Sequence, residues 1–266
     1  MLSVAMIGCG AIGASVLELL QGDPDVRVST LLAGARNQAH AQALLARWAP
    51  NGRLARRLDG ITPDLVVECA GHGAVEEHLL PALARGIPCV MVSIGALSQP
   101  GLAQRIEDAA RHGGTQLQLL SGAIGCIDAL AAARVGGLDT VVYTGRKPPR
   151  AWKGTPAELV CDLDALTSAR LIFDGNAQEA AQLYPKNANV AATLSFAGIG
   201  LQRTRVQFFA DPGVSENLHH VAASGAFGSF ELTLRGKPLA ANPKTSALTV
   251  YSVVRALRNR VRPIAI

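Results

Sequence analysis

Residues 2–7, LSVAMI, form a short apolar run that leads straight into Gly8-Cys9-Gly10-Ala11-Ile12-Gly13. After it, apolar residues recur at Ile12, Val16, Leu19 and Leu20 with helical spacing. A GxGxxG turn is a weak signal as a bare string and a strong one between a strand and a helix. The first glycine permits the tight turn, the second lets a pyrophosphate approach the backbone, and the third lets helix and strand pack closely. The helix N-terminus adds unpaired N–H groups for the phosphates. A second strand, DVRVSTLLAG at residues 25–34, closes a βαβ unit of roughly 30 residues. Gly8, Gly10, Ala11, Ile12 and Gly13 are therefore the candidate seat of a dinucleotide cofactor.

The alternation continues. PDLVVECAG reads as a strand, AVEEHLLPALARG as a helix ended by Gly86, PCVMVSIGAL as a strand, LAQRIEDAARHGG as a helix and QLQLLSGAIG as a strand. Strand and helix in strict turn imply a Rossmann-type, doubly wound parallel sheet. That rhythm stops near Gly122. Beyond it LDTVVYTGRKP, TRVQFFADP, LHHVAASGAFG and GSFELTLRGKPL alternate as half-buried strands, which predicts a second, smaller α+β domain with a mainly antiparallel sheet. The tail NPKTSALTVYSVVRALRNR reads as a helix after a polar start. Its buried stripe is either Leu248, Tyr251, Val254 and Leu257 or Val250, Val253 and Leu257. The expected division is a dinucleotide-binding domain at 1–122, with 242–266 packing back on it, and a substrate, catalytic and dimerisation domain at 123–241.

Composition narrows the class. Hydrophobic residues make up 49% of 266, enough for a substantial core, and no apolar run nears the roughly 20 residues of a membrane span. With no basic leader and cleavage site at the start, the cytoplasm is the expected location. Cys9, Cys69, Cys89, Cys126 and Cys161 are odd in number, lack CxxC spacing and sit among apolar or small residues, so buried free thiols are expected rather than disulfides or metal ligands. The net charge is +5, but the basic residues are dispersed and aromatics are only 4% of the chain, which points to small anions and away from nucleic acid.

Cofactor choice turns on the end of the second strand, where an NAD site carries Asp or Glu for the ribose hydroxyls. Here the chain reads Ala33-Gly34-Ala35-Arg36, so the acid is missing and Arg36 is a candidate partner for a 2′-phosphate. NAD and NADP both stay open. In the second half, adjacent His219 and His220 on a strand point to opposite faces, so one of them faces a given cleft. A histidine titrating near neutrality suits proton transfer, although a histidine on a strand is also an ordinary core or surface residue. His72, just past a strand, either lines the pocket or bonds loop backbone.

Seven stretches taken together carry a family resemblance: GCGAIG, ECAGHGAVEEHLLPAL, MVSIGAL, SGAIGCIDAL, TGRKPPRAWKGTP, KNANVAATLSFAGIGL and ENLHHVAASGAFG. They resemble the L-aspartate dehydrogenases, from the first strand to the final helix. The resemblance implies NAD(P)-dependent oxidation of L-aspartate to iminoaspartate, which hydrolyses to oxaloacetate and ammonia or feeds quinolinate and NAD synthesis. It also implies a catalytic histidine in an Asn-x-His segment, here Asn217-Leu218-His219, cofactor contacts at Ala123 and Asn189, and a homodimer. Two substrate carboxylates call for cationic or amide donors, and Arg146, Lys147, Lys153 and Lys186, with Asn187, are the candidates in these motifs. Dihydrodipicolinate reductases also carry a histidine pair, but follow it with a lysine and an Asp-Ala-Pro-Ser-Gly-Thr-like run where this chain has Val221-Ala222-Ala223-Ser224-Gly225. Homoserine dehydrogenase-like enzymes share the two-domain plan, and a non-catalytic NAD(P) sensor is the alternative from another class.

Overall fold

Short β-branched and aliphatic runs that are apolar along their whole length suit strands buried on both faces. In the computed structural model, which describes residues 1–185, 187–239 and 242–266, such runs form the centre of a six-stranded sheet, and two short, more polar strands form its edges. The six are β1 (Leu2–Ile7), β2 (Val26–Leu32), β3 (Arg53–Ala55), β4 (Leu65–Glu68), β5 (Cys89–Met91) and β6 (Leu117–Leu119). All pairs are parallel, in the order β3-β2-β1-β4-β5-β6. The strand order reverses direction between β1 and β4, which places the crevice for a ligand at the carboxyl ends of those strands. Val4, Ala5, Met6, Val66 and Val67 are wholly buried, as strands covered on both sides must be.

Several elements differ in extent from the sequence reading. PCVMVSIGAL is a strand only over Cys89–Met91, because the chain then turns into a 3-10 helix at Ile94–Ser98. QLQLLSGAIG is a strand only over Leu117–Leu119, and residues 120–126 form an open connection that ends at Cys126, whose φ of 60° is left-handed. The short β3 carries too few apolar residues to stand out as a pattern.

The chain divides into two compact units: residues 1–120 with 249–266, and residues 121–248. In the first, the helix Ala247–Arg258 buries Val250, Val253, Val254 and Leu257, while Tyr251 stays 55% exposed. Of the two stripes readable in the sequence, the one through Val250 is the inner one. Arg258 Nε donates to Asp23 Oδ2 at 2.8 Å and fastens the helix to the turn before β2.

The second unit holds a five-stranded sheet in the order β11-β10-β7-β9-β8, from β7 (Leu138–Lys147), β8 (Arg170–Asn176), β9 (Arg205–Ala210), β10 (Asn217–Gly225) and β11 (Gly228–Gly236). The β7–β9 pair is parallel and the other three are antiparallel, so the sheet is mixed. A further hairpin pairs β12 (Pro238–Leu239) with β13 (Asn242–Ser246). The helices Ile127–Gly136, Ala177–Leu183 and Asn189–Ala197 supply Leu130, Ala180 and Leu194 to a core shared with the sheet, and Tyr143, Trp152, Tyr184 and Phe208 meet there ring to ring. The helix at Ala177 starts with a capping box between Asn176 and Glu179, which satisfies two donors that a helix end otherwise leaves open.

Candidate active site

In the first unit, the three glycines after β1 each answer a different steric demand. Gly8 has a φ of +101°, and a Cβ there would lie 2.7 Å from the Ala70 Cα. A Cβ on Gly13 would run into the Gly8 carbonyl oxygen, so the helix Ala11–Leu19 can approach the strand only at glycine. Gly10 is the opposite case. It is the N-cap, no side chain caps the helix, and a Cβ at this position would meet no atom within 4 Å. Open space over an uncapped nine-residue helix start is what a pyrophosphate needs, so Gly8, Gly10, Ala11, Ile12 and Gly13 fit a dinucleotide.

A buried carboxylate organises the neighbouring loops. Glu68, at the end of β4, is wholly buried, and its Oε1 accepts from the backbone N–H groups of Ala70 and Gly71, both at 2.8 Å, and from the Ser93 hydroxyl at 2.9 Å. Its Oε2 accepts from Ser93 N at 2.9 Å and Val92 N at 3.3 Å. One side chain thus ties the loop after β4 to the loop after β5, and desolvation of the charge is offset by donors on both oxygens. His72 follows directly as the first residue of a helical turn. Sequence reasoning missed Glu68 because an acid in VVECAG reads as a strand-end residue like any other.

Beside the glycine turn lies a cavity of about 570 Å³ whose wall includes Gly8, Cys9, Ala33 and Asn37. Arg36 sits on the short turn Ala35–Asn37, exposed and outside that wall. Burial pushes the Cys9 thiol up from its ordinary value, and it is a free cysteine like the other four. Among the described residues no group of three His, Cys, Asp or Glu side chains could hold a metal ion, and no helix is long and apolar enough to cross a membrane.

In the second unit, alternation along β7 buries Val141, Tyr143, Gly145 and Lys147 on one face. On β10, His219 lies opposite Gly145 and is buried, while His220 faces the other way and bonds Thr233 Oγ1 at 2.9 Å. His219 is 3% exposed and its Nδ1 lies 2.8 Å from the Tyr143 hydroxyl, with the two rings nearly parallel at 5.9 Å. The absence of a side chain at Gly145 makes this bond possible, since a Cβ there would lie 2.9 Å from the Tyr143 hydroxyl and 3.2 Å from the Phe208 ring. His219 Nε2 is buried with no hydrogen-bond partner among the described residues.

Lys147 is 8% exposed, its ammonium donates to Asn187 Oδ1 at 2.7 Å, and it lies 5.4 Å over the Trp152 ring. Burial first, and the Lys147 charge second, push His219 down to about 3. This corrects the expectation of a group titrating near neutrality: the imidazole is neutral over the whole ordinary pH range. Burial likewise pushes the Tyr143 phenol up. Two tautomers satisfy the Tyr143 bond. With the proton on Nδ1, the imidazole donates to Tyr143 and presents a basic lone pair at Nε2; with the Tyr143 O–H donating, Nε2 carries the proton.

Of the cationic candidates, the structure brings Lys147 to His219 and takes two others away. Arg146 points to the opposite face, paired with Asp211 at 3.2 Å and stacked on Phe209, and Lys153 pairs with Asp164 at the surface. Lys186 lies outside the described residues. Asn187 joins the cluster through Lys147, and Asn189 opens the helix Asn189–Ala197, its carbonyl accepting from Thr193. Ala123 lies in the 120–126 connection, half-buried against the core of the second unit. Tyr143 was missed, although its period-2 spacing from Lys147 in LDTVVYTGRK places both on one face.

Known proteins place this geometry in a family. Residues 128–260 match the family described as aspartate dehydrogenase, C-terminal, and residues 8–119 match the homoserine dehydrogenase NAD binding domain. The chain is 72% identical to the L-aspartate dehydrogenase of Polaromonas sp. (strain JS666) and 64% identical to that of Pseudomonas aeruginosa, in both cases over the whole of each chain. The crystal structure of aspartate dehydrogenase from Thermotoga maritima superimposes with a TM-score of 0.77 at 27% identity, covering 100% of this chain and 99% of that one. The likeness runs the full length of the chain and through both units, and the chain belongs to the L-aspartate dehydrogenase family.

Proposed function

We propose that the chain oxidises L-aspartate to iminoaspartate with NAD or NADP, that the imine hydrolyses to oxaloacetate and ammonia, and that the reverse reductive amination is open to it. The observation that carries the reading is His219 Nε2, a polar atom held in a buried site with its other nitrogen already engaged by Tyr143. Bound nicotinamide supplies the acceptor for the hydride that leaves Cα of aspartate. The rest falls to the chain's own side chains. Neutral His219 accepts a proton from the substrate ammonium, because an amine must be neutral before Cα can release hydride; the two carboxylates of bound aspartate offset the burial and the Lys147 charge that hold the free imidazole low. Once that proton has passed to solvent, the imidazole is neutral again and takes from the water that adds to the imine carbon a proton that it returns to the departing ammonia. Lys147, fixed by Asn187, meets a substrate carboxylate in a site where a buried ammonium is worth more than one in water. The Gly8–Gly13 turn holds the pyrophosphate, and Ala123 and Asn189 are assigned to the cofactor from the family resemblance.

The decisive assay follows reduced cofactor with NAD+ or NADP+ and a panel of amino acids. Aspartate is expected to turn over, and turnover of glutamate, alanine or homoserine without aspartate overturns the substrate. His219→Ala is expected to lower kcat by on the order of 10²–10⁴-fold with cofactor affinity kept, and His220→Ala to cost far less. The reading is completed by a cytoplasmic homodimer that serves NAD synthesis. Half-buried Val142, Phe209, Leu218 and Ala222 share the outer face of the five-stranded sheet, which suits a second copy, and light scattering on the purified chain tests it.

A further inference from the structure

We propose that Arg56 and Arg57, at the end of β3, form the seat for a 2′-phosphate on the adenosine ribose and so make the chain competent for NADP. This rests on the reading of the glycine turn as a dinucleotide site. The placement follows from strand register. β2 and β3 run parallel with Leu32 opposite Ala55, and Ala33 N donates to the Ala55 carbonyl at 3.1 Å. The residue after Ala55 therefore leaves the sheet alongside Ala33, the position at which an NAD-selective site carries its acid.

Ala33 brings no charge to that position, and two guanidinium groups stand one strand away. Both arginines line the 570 Å³ cavity together with Gly8 of the turn, whereas Arg36 does not. Arg56 is exposed and has no hydrogen bond or ion pair among the described residues. Arg57 uses only Nε, on Asp59 Oδ2 at 3.0 Å, which leaves its terminal nitrogens for a bidentate anion contact. The carboxylate in the wall, Glu77, lies 3.8 Å from His78 Nε2. A phosphate monoester carries close to two charges and three acceptor oxygens, which two forks can share.

Titration calorimetry on the full chain measures Kd for NADP+, NAD+ and the fragment 2′,5′-ADP, for the parent, Arg36→Ala and the double variant Arg56→Ala/Arg57→Ala. The double variant is expected to lose roughly 10- to 100-fold in affinity for NADP+ and 2′,5′-ADP while NAD+ changes less than about threefold, since only the 2′-phosphate makes the charge-assisted contact. Retained NAD+ binding shows that the unit is folded. Equal losses for both cofactors, the same loss from Arg36→Ala alone, or a parent that binds NAD+ but not NADP+ overturns the assignment of these arginines and leaves the dinucleotide site standing. A parent that binds neither cofactor overturns the dinucleotide reading itself.

Discussion

Holding a histidine neutral inside a sheet unit makes stability depend on pH in a window that few other groups occupy. Unfolded, His219 takes up a proton near its ordinary value of about 6.5; folded, it does so near 3. Between those values the unfolded state binds one more proton, so unfolding free energy rises with pH and is lost as pH falls. The slope for one proton is about 1.4 kcal/mol per pH unit, so acidifying from about pH 6 to about pH 4.5 removes roughly 2 kcal/mol. Carboxylates are ionised in both states over most of that range, and His78, which burial also lowers, is common to both proteins compared. The comparison is parent against His219→Gln, which is neutral at every pH, in a Trp48→Phe background so that buried Trp152 reports the second unit. Urea unfolding by tryptophan fluorescence at several pH values should show the parent losing about 2 kcal/mol more than the variant across the window. Curves that run parallel within about 0.5 kcal/mol would refute the reasoning, since His219 would then protonate as readily folded as unfolded.

Gly145→Ala places a methyl against the Tyr143 hydroxyl and the Phe208 ring, and should cost about 1–3 kcal/mol of stability and most of the turnover, with NAD+ affinity unchanged by calorimetry. Tyr143→Phe leaves His219 Nδ1 without its partner in a dry site; kcat should fall roughly tenfold or more, read by steady-state kinetics, while His220→Ala stays near the parent. Glu68→Gln puts an NH2 group against backbone donors that now face a carboxylate oxygen, so thermal denaturation should show a loss of at least about 1–3 kcal/mol and calorimetry a weaker NAD+ complex.

The strand-turn-helix opening and the strict alternation to about residue 120 were legible because the central strands are largely apolar and the helices between them carry polar residues on one face. Where the chain makes only three residues of strand, as at Arg53–Ala55, the pattern is too short to rise above its surroundings. The strand Arg170–Asn176 was illegible for another reason: it lies at the sheet edge and its apolar residues Leu171, Ile172 and Phe173 are consecutive, with no alternation to mark an inner face. That His219 and His220 face opposite ways followed from period-2 geometry, and the choice of His219 between them followed from the family resemblance of Asn217-Leu218-His219. The neutrality of His219 did not, because desolvation depends on what packs around it, and Tyr143 and Lys147 come from β7, a segment far from His219 in sequence. For the same reason Arg36 stood out in the string and Arg56 did not: nearness to the end of β2 is set across the sheet by β3 and not along the chain.

The discontinuity of the first unit has a consequence for biosynthesis. The whole of residues 121–248 is made between the parallel sheet and the helix that supplies Val250, Val253 and Leu257 to its core. The second unit is continuous and can fold as soon as it emerges, whereas the nucleotide-binding unit waits with an uncovered apolar wall until the last helix arrives and Arg258 reaches Asp23. A chain that stalls before residue 249 therefore carries a finished sheet unit and an unfinished Rossmann unit, exposed to proteases and chaperones. Competence to hold a dinucleotide then doubles as a mark that translation has run through to the final helix.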